Sequence, residues 1–187
     1  MGDAHDCPDL IACSPVGYSY VDQPRPRADN TGLHTNHGGV VLFYRDDLRA
    51  RQIELPEYKS FEAIGAFLHC PRFSDLTIVV YRPGSVSVSD DFFEDCGDLL
   101  ECISTYSDLR IIGDINIHLA VLAEQSTIKF QQLIDVHDLT QHVVVPTHSL
   151  SHALDVLITR AEQIVNTVSV DSPTLSDHSQ IVGVLAA

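Results

Sequence analysis

The stretch LRIIGDINIHL (109–119) runs from an apolar, strand-like segment straight into Gly113, Asp114 and Asn116. Side chains two apart on a strand leave on the same face, so Asp114 and Asn116 emerge together while Ile115 turns inward. A carboxylate beside a carboxamide can hold a water and a phosphate oxygen at once. An Asx-type turn closing the strand would use the same residues.

On either side of this stretch, GGVVLFY (38–44), EAIGAFLH (62–69) and LTIVVYRP (76–83) share its pattern of Val, Ile and aromatic residues bounded by Gly, Pro or charge, which predicts further strands. Between the last of these and 109, Phe92, Cys96, Leu99, Leu100 and Ile103 recur at helical spacing behind Ser89, a candidate N-cap. The acids of that helix, from Asp90 to Glu101, read as its solvated face. A second helix is expected over STIKFQQLIDVHDL, with Ile128, Phe130, Leu133, Ile134 and Leu139 on its apolar side. HVVV (142–145), ALDVLIT (153–159), IVNTVSV (164–170) and HSQIVGVL (178–185) predict the remaining strands, and Asp22 to His37 reads as a loop. Some eight strands alternating unevenly with two helices indicate an α/β fold, a layered α/β sandwich of two packed mixed β-sheets flanked by helices. The 187 residues form one domain, 1–187, with 44% hydrophobic content for its core.

The bulk numbers exclude several functions. Apolar runs stop at five or six residues, far short of the ~20 that span a bilayer, so no membrane partner is expected. The opening MGDAHDCPDL has acids where a signal peptide has a basic region, so an intracellular location is expected. Five cysteines at irregular spacing offer neither a disulfide framework nor a CxxC knuckle, and most are expected to be reduced packing residues. A formal charge of −15 repels polyanions, so a nucleic-acid role requires a local site in which divalent cations supply the positive charge.

Two further places carry chemistry. Tyr81 and Arg82 end a strand at Pro83, and a phenol and a guanidinium are both phosphate donors. Ser176-Asp177-His178 precedes the last strand, and Asp155 lies in an otherwise apolar segment where a buried carboxylate needs a partner. His178 is the natural partner, because a carboxylate fixes an imidazole's tautomer and raises its pKa. Taken singly, the tyrosine could be packing, and Ser-Asp-His could be a turn beside a surface histidine.

Taken together and in order, VVYRPG, IIGDINIH, LTQHVVVPTH, HALDVLITR and LSDH resemble the endonuclease/exonuclease/phosphatase superfamily, and within it the endonuclease domain of non-LTR retrotransposon polyproteins. The likeness runs from about Tyr18 to the end. It implies a DNase I-like fold and Mg²⁺-dependent nicking of DNA, with Mn²⁺ as a substitute, leaving a 3′-hydroxyl that primes reverse transcription. It further implies that Asp114 activates the attacking water and Asn116 orients it. Tyr81 and Arg82 would contact the phosphate, and Asp177 and Asp114 would hold the metal. His178, held by Asp155, would stabilise the phosphorane, and Thr147 would contact the DNA. The implied partners are DNA and a reverse transcriptase domain in a longer polyprotein, and action on chromosomal DNA would place the chain in the nucleus.

One departure stands out. The family's opening strand with its Asn, and a second strand ending in a metal-binding Glu, have no counterpart here, since MGDAHDCPDLIACSPVGYSY resembles the segment after that Glu. An N-terminally truncated copy, lacking the first strands and weakly active or inactive, is the expectation. Gly84, where the family has a second proline, is expected to matter little. The alternatives are a non-catalytic domesticated DNA- or protein-binding domain on the same fold, a related phosphodiesterase or phosphatase, and a zinc-binding module. The last would rest on His34/His37 and on His148/His152, the latter sharing a face only if helical, which Pro146 opposes.

Overall fold

A computed structural model describes residues 13–24, 39–174 and 176–186. Its centre is a six-stranded sheet in the order β3-β4-β5-β6-β8-β7. The strands are β3 (Arg49–Ile53), β4 (Glu62–Cys70), β5 (Phe73–Tyr81), β6 (Leu109–Asp114), β7 (Leu139–Gln141) and β8 (Asp155–Arg160). Every neighbouring pair is antiparallel except β5 and β6, which run parallel. A parallel pair needs a long crossover, and helix α1 (Asp90–Cys102) supplies it. Helix α2 (Gln125–Val136) follows β6.

Alternation along the strands separates two faces. Leu76, Ile78, Val80, Leu109, Ile111, Val156 and Ile158 join Phe92, Cys96, Leu99, Leu100, Ile103, Phe130 and Ile134 of the helices in the main core. Arg160 closes that layer: its guanidinium donates to the carbonyls of Ile103, Ser104, Tyr106 and His137, where both helices run out of internal partners. The opposite face carries two separate antiparallel ribbons. One is β1 (Tyr18–Pro24) with β2 (Gly39–Arg45), whose Leu42 packs on Ala66 and Leu68. The other is β9 (Val165–Val170) with β10 (Ile181–Leu185), where Gly183 lies against Leu157. The expected sandwich is therefore present, its second layer consisting among the described residues of two ribbons instead of one sheet.

The local expectations fare unevenly. Ser89 occupies the N-cap position of α1 but makes no side-chain cap bond. Leu139, expected on the second helix, belongs to β7. HVVV forms no strand: the backbone ladder ends with His142 N donating to the Leu157 carbonyl at 2.9 Å, while Leu157 N donates at 3.1 Å to Gln141 Oε1, whose Nε2 donates to the Val143 carbonyl. Val144 is consequently left 83% exposed. Residues 22–24 of the expected loop lie in β1, and 25–37 fall outside the described residues. Of the four described cysteines, all free, Cys96 alone is buried while Cys13 and Cys102 are exposed, so the expectation that most pack inside does not hold.

Candidate functional site

The ends of β5 and β6 and the start of β8 meet on adjacent rungs: Tyr81 pairs with Asp114, and Asp114 with Asp155. Paired residues point to the same side of a sheet, here the side away from the helices. Gly113 makes this junction possible. It sits at φ 136°, and a β-carbon there would collide with the Val80 carbonyl oxygen, so no other residue lets β6 come this close to β5.

Beyond Asp114 the chain turns. Asn116 adopts φ 50°, which asparagine tolerates, and its backbone N–H donates to Asp114 Oδ1 at 2.9 Å. Its Nδ2 donates to Asp114 Oδ2 at 2.7 Å and to the Arg82 carbonyl at 2.8 Å. The Asx turn that offered a bland account of this motif therefore exists. It is also what brings the two side chains together, since Asn116 lies beyond the strand. Ile115 is buried, as the alternation predicts. Both donor bonds of the carboxamide are thus made to the protein, leaving Oδ1, beside Gly84, as its acceptor.

Gly84 departs from expectation. A β-carbon on it would lie 2.6 Å from Asn116 Oδ1, so the residue at this position decides whether the carboxamide keeps its place.

Arg82 also differs from its expected role. It is 4% exposed, and its Nε, Nη1 and Nη2 donate to the carbonyls of Ile115, Val86 and Asn116 at 2.6 Å each. The guanidinium braces the loop that holds Asp114 and Asn116, and its burial and its bonds to carbonyls direct it to the protein instead of to a phosphate. Thr147, expected to touch DNA, is fully buried. Its Oγ1 accepts from the backbone N–H groups of Leu154 and Asp155 at 3.1 and 3.3 Å, and its carbonyl accepts from Ser179 N at 2.7 Å. It ties the start of β8 to the Ser176-Asp177-His178 segment.

Asp155 Oδ2 lies 3.0 Å from His178 Nδ1, as expected, and His178 Nε2 faces Asp114 Oδ2 at 3.9 Å. Burial alone would lower the pKa of His178, but the hydrogen bond it donates to Asp155 and the charges of Asp155, Asp114 and Asp177 outweigh it and raise the value. Burial raises the pKa of Asp114, the Asn116 backbone bond opposes it, and the charge of Asp155 adds to the rise. Asp177 is exposed and held below the ordinary carboxylate value by its own backbone N–H and then by His148.

Ligand atoms gather in two trios that share His178, one with Asp114 and Asp155, the other with His148 and Asp177. Asp114 and Asp177, expected to share a metal, thus fall in different trios. Asp114 and Asp155 place two half-buried carboxylates side by side, and Arg82, the nearby cation, is committed to carbonyls, so the donor set suits a hard, partly hydrated divalent cation.

His148 and His152, expected to meet only on a helix, meet across a tight turn in which both Thr147 N and His148 N donate to the His152 carbonyl. Their ring centroids are 6.2 Å apart, and His152 stacks on His118 at 4.2 Å. His34 and His37 lie outside the described residues.

No protein-family model matches the sequence, and no curated protein matches it. Solved structures do match. The endonuclease domain of TRAS1, a telomere-specific non-LTR retrotransposon, superposes with a TM-score of 0.71 at 12% identity, over 91% of this chain and 81% of that one. The 3′ phosphatase NExo from Neisseria, bound to a product DNA hairpin, gives 0.65 at 16% identity over 99% and 84%. The human Nocturnin catalytic domain gives 0.64 at 17% over 97% and 76%. At such identities the likeness concerns architecture. The chain has the DNase I-like α/β fold of the endonuclease/exonuclease/phosphatase proteins.

Proposed function

We propose that this chain is a divalent-cation-dependent phosphodiesterase of retrotransposon-endonuclease type, hydrolysing a DNA phosphodiester to leave a 3′-hydroxyl that primes reverse transcription. The observation that carries the reading is the contiguity of Asp114, Asn116, Asp155 and His178 at one end of the central strands, where hydrogen bonds hold together the acceptor, base and cation of a hydrolytic site: Asn116, Asp114 and, oriented by Asp155, His178. The NExo structure, with its product DNA, supports DNA as the substrate class.

Asn116 Oδ1 accepts one hydrogen of the attacking water, and Asp114 accepts the proton released as the water oxygen bonds to phosphorus. His178, whose contacts with Asp155, Asp114 and Asp177 favour its charged form, places Nε2–H toward a non-bridging oxygen and stabilises the charge that accumulates there. Tyr81, on the rung beside Asp114, donates its hydroxyl to the same phosphate. The bond from phosphorus to the 3′ oxygen breaks, and that oxygen takes up a proton. Mg²⁺, or Mn²⁺ in its place, would neutralise phosphate charge, and Asp114 and Asp177, from the two trios on either side of His178, are the carboxylates that would hold it.

Both oxygens of Asp114 already accept from Asn116 and one oxygen of Asp177 meets His148, which leaves few lone pairs for an ion, so the cation is expected to bind weakly and turnover to be slow. The chain's charge of −15 further weakens DNA binding outside the site. Nicking of supercoiled plasmid in Mg²⁺ or Mn²⁺, abolished in Asp114→Ala and His178→Ala, is the expected result. Nicking that survives both substitutions rejects the site. DNA binding without nicking favours a non-catalytic module on the same fold.

A further inference from the structure

We propose that His148 is a positioning residue of this site: its Nε2–H holds the carboxylate of Asp177, and a backbone amide locks the imidazole in the tautomer that can do so. What Asp177 is positioned for rests on the phosphodiesterase reading above, whereas the hydrogen-bond arrangement stands apart from it.

The turn from His148 to His152 supplies the lock. His148 N donates to the His152 carbonyl at 3.0 Å and Ser151 N to the His148 carbonyl at 2.9 Å, and this curl directs Leu150 N at His148 Nδ1, 3.1 Å away. A ring nitrogen that accepts a hydrogen bond carries no proton, so the neutral ring carries its proton on Nε2. That nitrogen lies 3.2 Å from Asp177 Oδ2.

The backbone repeats the attachment. Ser149 N donates to the Asp177 carbonyl at 2.8 Å and Ser179 N to the Thr147 carbonyl at 2.7 Å, so His148 and His178 face each other across an antiparallel bridge. Asp177 is thus gripped at its main chain by Ser149 and at its side chain by His148. The grip matters because the Asp177 side chain is 67% exposed and its other tie is to its own backbone N–H, whereas the His148 side chain is 13% exposed and gives it a fixed partner. With Oδ2 held, Oδ1 is presented in one direction.

The same tautomer decides what this trio is not. His148, Asp177 and His178 bring their ligand atoms within 4.8 Å of one another, which on distance alone suits a transition metal. For Nε2 of His148 to become a ligand, its proton would have to move to Nδ1, where Leu150 N–H already points. His178 differs, because its Nδ1 donates to Asp155 and leaves Nε2 available. One imidazole is a donor that orients, and the other faces the reaction.

Three measurements on the full chain test this. In long-range ¹H–¹⁵N spectra, the resonance lost in His148→Gln is expected to report an Nε2-protonated neutral ring. An Nδ1-protonated ring overturns the proposal. Mn²⁺ binding, read from the electron paramagnetic resonance of the free ion, is expected to weaken about tenfold in His148→Phe, the cost typical of losing a group that orients a ligand, and to recover to within about threefold in His148→Gln, which keeps a donor near Nε2. Circular dichroism of each variant confirms that it is folded. Equal Mn²⁺ affinity in wild type and a folded His148→Phe overturns the proposal. Stoichiometric Zn²⁺ that disappears in His148→Phe also overturns it, since Nε2 is then a ligand. A wild type that binds no Mn²⁺ rejects the cation-dependent reading of the site, and the tautomer spectrum still decides the role of His148.

Discussion

Asp155 and His178, 23 residues apart in the chain, form a carboxylate–imidazole pair at 3.0 Å in which the carboxylate faces Nδ1 and leaves Nε2 to the open side of the site. The pairing depends on Thr147, whose buried hydroxyl receives the backbone N–H of Asp155 and whose carbonyl receives that of Ser179. Thr147→Val keeps the shape but leaves the amides of Leu154 and Asp155 without an acceptor, and is expected to cost about 2–3 kcal/mol by urea denaturation. Thr147→Ser keeps the oxygen and is expected to cost about 1 kcal/mol. Equal losses in the two variants would show that the hydroxyl is not what matters.

Arg82 is expected to act on stability and loop order. Arg82→Met removes the brace from the carbonyls of Ile115, Val86 and Asn116 and is expected to cost about 3 kcal/mol, and Arg82→Lys recovers little of this because an ammonium cannot reproduce the fork. Urea denaturation checks both. A stable Arg82→Met that loses only phosphate affinity would restore Arg82 to the substrate.

Two glycines separate fold from function. Gly113→Ala forces a β-carbon into the Val80 carbonyl at a left-handed φ, with an expected cost above about 3 kcal/mol. Gly84→Ala presses on the Asn116 carboxamide with little effect on the core, so nicking should fall about tenfold while the denaturation midpoint hardly moves. Thermal melts and plasmid nicking on both proteins distinguish the two effects.

The pH dependence has a definite sign. His178 binds its proton more tightly folded than unfolded, so the stability it contributes is complete below the unfolded value near 6.5 and is lost as pH rises through the higher folded value. Asp114, also raised, behaves alike at more acidic pH: its contribution is complete below about 3.8 and is lost as pH rises through the folded value. Without divalent ions, wild type should therefore lose more stability than His178→Gln between about pH 6 and 8.5. Asp114→Asn should flatten the profile in the acid range. Parallel curves for wild type and both variants would contradict the assignment of these shifts.

The central strands can be read in the sequence because β4, β5, β6 and β8 are buried enough to demand unbroken apolar runs. Strands β1 and β3 escape that reading. YSYVDQP lies in a ribbon and RARQI at the sheet edge, where an exposed face accepts charge. Strand β7 stops short of HVVV, where a single carboxamide, that of Gln141, takes the Leu157 N–H that a longer strand would use. At the site, Asp114, Asn116, Tyr81, Asp155 and His178 declare themselves as polar groups on strand ends. The roles of Arg82 and Thr147 do not, because which backbone groups a side chain satisfies depends on loops distant in sequence. Helical spacing is not what brings His148 and His152 together: the Ser149-Leu150-Ser151 segment between the two histidines, just after Pro146, carries the signal of a turn.

The rung shared by Tyr81, Asp114 and Asp155 bears on how tolerant the chain is to change. Neighbouring strands sit about 4.8 Å apart wherever peptide groups pair, whatever side chains they carry. The separation of these three groups is therefore inherited from the backbone lattice, so substitutions scattered over α1, α2 or the ribbons can accumulate without moving the three groups apart. A lineage under weak constraint would keep this geometry long after its surface had become unrecognisable.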